Sequence, residues 1–293
     1  MKFFKTTLLL LAILFPLVPQ YQKRDLPTTP EVKSAFIHQA SVPSFLRKQE
    51  SIPIFSAKSV YILDLTSNTT LYQKNSTEPL FPASLTKVMT AVVALDHYQI
   101  DQILTVKSAD HSIGNTMNLK PGDRLTTIDL IYGLLVASGN DAALALAENF
   151  PGGYSQFIVA MNKKAERLNL KQTHFNNVSG VEDVGHFSSA QDLSQLTQFA
   201  LKNVTFRQAV STKYKEITSV NGNQYPLTST NELLGVVPGV LGVKTGWTPE
   251  AGECLITLVN QDNRPILITV LGSEDRFGKT KQIISWVYNS FSW

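Results

Sequence analysis

Ser84 and Lys87 are the first residues in this sequence whose types and spacing could do chemistry. They lie in the segment FPASLTKVMTAVVAL, whose apolar residues recur at helical spacing and whose Pro82 suits a first turn. The segment therefore predicts a helix over 81–95. Because residues i and i+3 are neighbours on a helix, the lysine amine would reach the serine hydroxyl.

This spacing is that of a nucleophile and its base. A serine hydroxyl attacks only when a base takes its proton, and a lysine is such a base only when desolvation or a nearby cation lowers its pKa from about 10.4. An S-x-x-K arises by chance about once in a chain of this length, and in isolation it favours a solvated lysine on an exposed helix edge. The rest of the sequence has to decide between the two interpretations.

Two further motifs follow the serine–lysine pair. The segment ASGNDAA contains Ser138 and Asn140, where one predicted helix ends and the next begins, and GVKTGWT contains Lys244, Thr245 and Gly246 on a predicted strand. S-x-N occurs three times in the chain and has little weight alone, whereas S-x-x-K and K-T-G each occur once. Their order, with Ser138 following 54 residues after the first serine and Lys244 another 106 later, is that of penicillin-binding proteins and related lactamases.

The resemblance extends well beyond these motifs. From about residue 57 to 291 the chain resembles the serine-type D-alanyl-D-alanine carboxypeptidases, which are low-molecular-weight penicillin-binding proteins. The matching segments occur in the family's order: FPASLTKVMTA, GLLVASGNDAALALAE, MNKKAERLNLKQTHFNNVSG, GHFSSAQDLSQLTQFAL, GVLGVKTGWTPEAGECL and DRFGKTKQIISW. The resemblance implies a beta-lactamase/transpeptidase-like fold, with no metal and no cofactor.

The resemblance also implies catalytic roles. Ser84 would attack the carbonyl between the two terminal D-alanines of a peptidoglycan stem peptide and form an acyl-enzyme, while Lys87 would accept its proton. Ser138 would relay a proton to the leaving D-alanine. Asn140 would orient Lys87 and the substrate amide, although a simple helix cap is an alternative for this residue.

Four residues around the K-T-G motif would bind substrate by the same resemblance. Lys244 would supply positive potential that keeps Lys87 neutral and attracts the substrate's terminal carboxylate, which Thr245 would also bind. Gly246 would let the substrate backbone lie against the strand. The backbone N–H of Trp247, together with that of the nucleophilic serine, would form the oxyanion hole. Beta-lactams would acylate the same serine.

Other residues with reactive side chains are discounted. Glu166 in AERLNL is one residue short of the lactamase E-x-x-L-N spacing, and Cys254 is predicted to be a small residue in a buried strand. Arg276 could assist the substrate carboxylate, but a surface ion pair explains it equally well. Three histidines lack the clustered spacing of a zinc site and are expected to have ordinary loop roles: His111, His174 and His186.

The N-terminal segment predicts export. Two lysines precede an apolar run from Thr6 to Val18, which is typical of a signal peptide, but no A-x-A-like site follows and the run is short for a membrane span. Residues 1–24 are therefore predicted to be a signal peptide or an N-terminal membrane anchor. Four of the 26 Lys and Arg lie there, so the rest of the chain has 22 against 23 acids and no nucleic-acid footprint. The protein is expected at the outer face of the cytoplasmic membrane, in the periplasm or in the cell wall.

The remaining 269 positions divide into a linker and one domain. Residues 25–56 are proline-rich and without periodicity, which is typical of a linker. Residues 57–293 contain strands at both ends and a mostly helical middle from about 82 to 210. This order predicts one α+β domain, whose antiparallel sheet is completed by both chain ends around a helical insertion. At 293 residues and 43% hydrophobic content, the chain can bury a full core.

The function predicted from the sequence is a serine D,D-carboxypeptidase that removes the terminal D-alanine from peptidoglycan stem peptides and is inhibited by beta-lactams. A D,D-endopeptidase that cuts crosslinks with the same residues is one alternative. A catalytically silent scaffold that binds the cell wall is the other. The fate of the leader, the third residue of the stem peptide and the oligomeric state stay open from the sequence.

Overall fold

The computed structural model describes residues 42–46, 55–108 and 114–293. Its strands are β1 (Ser44–Phe45), β2 (Ser59–Asp64), β3 (Thr69–Lys74), β4 (Ile103–Thr105), β5 (Arg124–Thr126), β6 (Tyr214–Thr218), β7 (Gln224–Thr228), β8 (Val240–Thr248), β9 (Gly252–Gln261), β10 (Arg264–Ser273) and β11 (Phe291–Ser292). Its helices are α1 (Lys87–His97), α2 (Thr127–Leu135), α3 (Asn140–Glu148), α4 (Gly153–Arg167), α5 (Ala190–Ala200), α6 (Val204–Val210) and α7 (Arg276–Ser290).

The central sheet has five antiparallel strands in the order β3-β2-β10-β9-β8. Two of these strands come from the N-terminal part of the described chain and three from the C-terminal part, with α1 to α6 between them. The predicted α+β architecture, with a sheet completed by both chain ends around a helical insertion, is confirmed. The strand β8, which carries the K-T-G motif, lies at one edge of this sheet.

The sheet separates two hydrophobic cores because successive side chains of a strand point to opposite faces. One set of apolar side chains from β2, β9 and β10 packs against α7, and the alternating set packs against the helical insertion. In β10, for example, Ile266, Ile268 and Val270 face α7, whereas Leu267 and Leu271 face the insertion. Burial on both faces explains why β9 and β10 are nearly continuous apolar runs in the sequence.

Three helices of the insertion, α2, α5 and α6, begin at side-chain caps that the sequence contains. Thr126 caps α2 by accepting a hydrogen bond from the N–H of Asp129, and Ser189 caps α5 by accepting one from the N–H of Asp192. The insertion places α1 in the middle of its core, where most of the helix is buried. No helix among the described residues is long and apolar enough to cross a membrane.

The structure corrects the start of the predicted helix 81–95. Residues Ala83–Thr86 form a 3₁₀ turn, and the α-helix begins only at Lys87. The backbone of Ala83 has a φ of +47°, which an α-helix cannot accommodate, so a regular helix starting at Phe81 does not form. Ser84 therefore lies on a tight turn ahead of the helix.

Several elements were not predicted. The short pairs β4–β5 and β6–β7 connect parts of the insertion, and the segment 213–241, which matched the family least specifically, contains the β6–β7 hairpin. Part of the predicted linker 25–56 also has structure, since β1 pairs with β11 and Phe55 is buried in the core on the α7 side. The predicted leader, 1–24, lies outside the described residues.

Candidate active site

Lys87 is buried, and its amine contacts Ser84, for which it was predicted to be the base. Its side chain is fully buried, and its Nζ donates to Ser84 Oγ at 2.8 Å and to the backbone carbonyl of Ser179 at 2.8 Å. Burial lowers the pKa of Lys87 to about 7, an effect that the negative charge of Asp141 partly offsets. The lysine is therefore not the solvated residue that an isolated S-x-x-K favours, and close to neutral pH a large fraction of it is an uncharged amine.

The loop after α4 determines where the carbonyl of Ser179 lies. Asn177 Oδ1 accepts hydrogen bonds from the N–H of Ser179 at 3.2 Å and from the N–H of Gly180 at 2.7 Å. A Cβ at Gly180 would lie 1.8 Å from the carbonyl oxygen of Ala83, so only glycine lets this loop approach the 3₁₀ turn so closely. The loop thereby supplies the second acceptor for the amine of Lys87.

His186 fastens the same loop to the 3₁₀ turn. Its Nδ1 accepts from the N–H of Asn176 at 3.1 Å, so Nε2 carries the proton and donates to Thr86 Oγ1 at 2.8 Å. Burial lowers the pKa of His186 to about 4, so the ring is neutral at physiological pH. His174 Nδ1 donates to the carbonyl of Gly185. Both histidines have loop roles in the structure, whereas His111 lies outside the described residues.

Ser138 and Lys244 form a second buried pair. Lys244 Nζ donates to Ser138 Oγ at 2.8 Å and to the carbonyl of Thr245 at 2.7 Å. Ser138 has a φ of +60°, which turns its side chain out of the helical path between α2 and α3. Burial lowers the pKa of Lys244 well below its usual value, and the charges of Lys87 and Arg276 lower it further. The two buried amines therefore favour sharing a single positive charge.

Asn140 is the first residue of α3 and follows Ser138 by two residues. Its N–H donates to the carbonyl of Asn115 at 2.8 Å, and a Cβ at Gly114 would lie 2.9 Å from its Nδ2. The cap residue of α3 is Gly139, so Asn140 does not occupy the capping position that was its alternative role. Its side chain instead lies against the loop at Gly114.

The edge strand β8 packs against the 3₁₀ turn that carries Ser84. A Cβ at Gly246 would lie 3.0 Å from the backbone nitrogen of Ser84, so a larger side chain would fit only if the turn and the strand moved apart. Thr245 is buried, and its Oγ1 lies 2.5 Å from Thr230 Oγ1. Trp247, the next residue of the strand, is 60% exposed. The predicted substrate-binding residues thus line one edge of the sheet beside Ser84.

Arg276 also approaches this edge. Its Nη1 donates to the carbonyl of Gly246 at 2.8 Å, and no described carboxylate forms a salt bridge with it. The surface ion pair that was its alternative role is therefore wrong. Glu166 is exposed on α4, and the thiol of Cys254 is buried in β9, where burial raises its pKa to about 11.

Sequence reasoning missed three participants in the geometry. These are the carbonyl of Ser179, the carboxylate of Asp141 and the hydroxyl of Thr230. A backbone carbonyl has no sequence signal of its own. Asp141 directly follows Asn140 in SGND, and Thr230 lies in the segment that matched the family least, so only the fold brings Thr230 to Thr245. No group of three His, Cys, Asp or Glu that could hold a metal occurs among the described residues.

Comparison with known proteins shows which family the chain resembles. Residues 47–275 match the family model of D-alanyl-D-alanine carboxypeptidases. The D-alanyl-D-alanine carboxypeptidase DacF of Bacillus subtilis is 34% identical over 260 residues, covering 85% of this chain and 67% of that protein. A D-alanyl-D-alanine carboxypeptidase of a Streptomyces species is 34% identical over 239 residues, covering 75% of this chain and 82% of that protein.

A solved structure agrees with these relatives. The crystal structure of a Streptomyces D,D-transpeptidase superimposes with a TM-score of 0.78 at 32% identity, and the match covers 82% of this chain and all of that one. The likeness therefore includes the whole of that penicillin-binding fold. The chain belongs to the D-alanyl-D-alanine carboxypeptidase family of low-molecular-weight penicillin-binding proteins.

Proposed function

We propose that this protein is a serine-type D,D-carboxypeptidase that removes the terminal D-alanine from peptidoglycan stem peptides through an acyl-enzyme on Ser84. The observation that carries the proposal is the 2.8 Å hydrogen bond between Lys87 Nζ and Ser84 Oγ, made by a lysine that is completely buried. Family membership supports the same reaction class. The steps below use the side chains and backbone amides of this site together with one water molecule.

Acylation follows from the hydrogen bonds of the two pairs. The neutral amine of Lys87 takes the proton from Ser84 Oγ, and the oxygen attacks the carbonyl carbon between the two D-alanines. The backbone N–H groups of Ser84 and Trp247 stabilise the negative oxygen that develops. Ser138 gives its hydroxyl proton to the departing amine of D-alanine and regains one from the Lys244 amine that donates to it, while Asn140 orients the lysine and the substrate amide. Water then attacks the acyl-enzyme and loses a proton to Lys244 through Ser138. Ser84 Oγ leaves and takes back its proton from Lys87, which releases the shortened peptide.

The edge of β8 is suited to hold the substrate. An edge strand presents unpaired backbone groups, so an extended peptide can add to it, and the absence of a side chain at Gly246 lets that peptide lie close to Ser84. The charge shared by Lys87 and Lys244 attracts the terminal carboxylate of the substrate. The hydroxyl of Thr245 can donate a hydrogen bond to the same carboxylate. Beta-lactams present a similar carboxylate and a strained amide, so they should acylate the same serine.

Two alternative functions differ in what they require of this site. A D,D-endopeptidase would use the same residues but would need space for a larger group beyond the scissile bond. The exposed indole of Trp247 lies at the edge of β8, beside Ser84. A silent scaffold does not require buried lysines. Burying a lysine costs folding free energy, and lysines with a lowered pKa cluster at reactive sites. The burial of Lys87 and Lys244 therefore favours an enzyme.

In this proposal residues 57–293 form the catalytic domain, to which β1 and Phe55 of the predicted linker 25–56 also belong, and residues 1–24 export the chain. The enzyme would then act outside the cytoplasmic membrane, where peptidoglycan lies, either released or held by an uncleaved N-terminal anchor. Membrane fractionation of cells that express the full chain would separate these two states.

The first experiment is intact-mass spectrometry of the full chain with penicillin, alongside D-alanine release from a diacetyl-lysyl-D-alanyl-D-alanine peptide. The expected result is one adduct together with released D-alanine. Ser84→Ala should abolish both, whereas Ser211→Ala, a matched change at an exposed serine, should change neither. An adduct without D-alanine release would favour the endopeptidase, and D-alanine release at the wild-type rate by the Ser84→Ala variant would overturn the proposal.

A further inference from the structure

Asp141 is a fully buried carboxylate next to the site, and the reaction described above gives it no role. Its two oxygens accept hydrogen bonds from the N–H of Met117, at 2.9 and 3.0 Å, and from the N–H of Leu119, at 2.9 Å. A third N–H, that of Ala142, donates to Oδ1 at 2.9 Å. These three amide donors hold the carboxylate in a fixed position, because hydrogen bonds from backbone N–H groups to a carboxylate are strong.

These hydrogen bonds join two segments that would otherwise be separate. The turn between α2 and α3 carries Ser138 and Asn140, and the segment 115–119 runs beside it. Asn140 donates from its N–H to the carbonyl of Asn115, and Asp141 accepts from the same segment two and four residues further on. A Cβ at Gly139 would lie 2.9 Å from Asp141 Oδ1, so the turn fits closely over the carboxylate. The position of the Ser138 hydroxyl therefore depends on Asp141.

The charge of Asp141 is as notable as its hydrogen bonds. The one salt bridge among the described residues joins Lys164 and Asp96, so no described lysine or arginine pairs with Asp141. Its field raises the pKa of Lys87, which burial lowers. Lys244 and Arg276 are the cations on the other side of the site. On the side of the hairpin, the charge of Asp141 acts on Tyr225, which donates a hydrogen bond to Asp123.

We propose that Asp141 is a positioning residue of the reaction, which fixes the turn carrying Ser138 and Asn140 and whose negative charge acts on the amine of Lys87. The inference rests on the proposed function, since it assumes that Lys87 is the base for Ser84. It differs from a purely structural role, because a structural role would not change the pH at which the base becomes active.

The substitution Asp141→Asn separates the two contributions. An amide has the size of the carboxylate but no charge, so Lys87 should lose its proton at lower pH. The acid limb of Ser84 acylation, that is, the rise of its rate with pH, should therefore shift to lower pH by about half a unit or more. An amide also has only one acceptor oxygen, and its NH₂ would face the N–H of Met117 or Leu119. The acylation rate on the pH plateau should therefore fall by about tenfold or more.

Asp123→Asn is the matched control. Asp123 is also buried, and its Oδ2 accepts from the N–H of Lys120 in the loop that continues from 115–119. Neutralising it should loosen that loop and lower the melting temperature, but its charge is not among the influences on Lys87. Asp141→Glu keeps the charge and displaces the oxygens, so its acid limb should stay in place while its plateau rate falls.

The experiment measures the rate of penicillin acylation of the full chain from about pH 5 to 9 by intact-mass spectrometry, for the wild type and the three variants. A lower acid limb in Asp141→Asn alone supports the proposal. An unmoved limb in a folded Asp141→Asn, or an equal shift in Asp123→Asn, overturns it. If Asp141→Asn does not fold, a lowered limb in Asp141→Glu overturns the proposal and an unmoved limb supports it. A wild type that is not acylated at all would instead refute the proposed function.

Discussion

Gly246 provides the sharpest test of how the fold shapes the oxyanion hole, because adding one methyl group there crowds the nucleophile's turn. The substitution is Gly246→Ala. A Cβ at this position would lie 3.0 Å from Ser84 N, 3.1 Å from Ala83 Cβ and 3.3 Å from Leu85 N. The backbone of Gly246 does not lie in the left-handed region, so the effect would come from contact and not from backbone strain.

The magnitude follows from these distances. Non-bonded carbon atoms prefer about 3.5–4.0 Å, so the turn and β8 must separate by several tenths of an ångström. Two of the three atoms in contact belong to the backbone and cannot rotate away. Overpacking of this kind costs about 1–3 kcal/mol of unfolding free energy, or about 2–4 °C in melting temperature for each kcal/mol in a domain of this size. The larger effect is on chemistry, because oxyanion donors act at about 2.7–3.1 Å and losing one costs about 100- to 1000-fold.

The assay combines thermal unfolding with the penicillin acylation rate, each measured on the wild type, Gly246→Ala and Leu241→Ala. Leu241 lies on the same strand and is 42% exposed, so its truncation should alter stability slightly and leave the rate unchanged. We expect Gly246→Ala to remain folded while its acylation rate falls by about tenfold to a hundredfold, since the donor is displaced and not deleted.

Acylation of Gly246→Ala at the wild-type rate would refute the reasoning, because the backbone N–H of Ser84 would then not need its observed distance from β8. If Gly246→Ala lost activity because it did not fold, its thermal unfolding transition would be absent. A rate that falls equally in Leu241→Ala would show that the strand as a whole, and not the contact at Gly246, controls the reaction.

Three further predictions concern protons and hydroxyls. Acylation should rise with pH through an inflection near 7, because only the neutral amine of Lys87 accepts the serine proton, and a rate that is flat from about pH 5 to 9 would contradict this. Thr230→Val should raise KM for the D-alanyl-D-alanine peptide by about tenfold with a smaller change in kcat, because Thr245 loses its 2.5 Å partner, whereas Thr230→Ser should behave as wild type. The folded-state pKa of His186, about 4, lies below its usual 6.5, so the unfolded state binds the proton first and stability is lost as pH falls from 6.5 towards 4. Chemical denaturation should show up to about 3 kcal/mol of this loss, which His186→Gln should remove.

Much of the fold was predictable because its signals are local. The hairpin β2–β3, the strands β8 to β10 and the helices α2 to α5 and α7 follow from apolar periodicity and from turn residues between the runs. The short strand pairs β4–β5 and β6–β7 were missed because three to five residues give too little periodicity. The turn at Ala83 was missed because a positive φ at an alanine has no local sequence signal, and the segment that packs against it, at Gly180, is 97 residues away in the chain.

By itself the sequence determined which residue types are present, in what order and on which local elements. Ser84 and Lys87 had to be neighbours on any helical turn, and the ordered set with Ser138, Asn140 and the K-T-G strand already indicated the reaction class. Those statements depend only on spacing along the chain, so they needed no knowledge of packing.

Only the tertiary structure decided whether those residues could react. The lowered pKa of Lys87 requires burial inside an assembled core, and its hydrogen bond to the carbonyl of Ser179 joins residues 92 positions apart. The same holds for the contact of Lys244 with Ser138, 106 positions apart, and for the carboxylate of Asp141 beneath the turn. Desolvation and long-range contact are properties of the packed chain, and no local pattern of residues carries them.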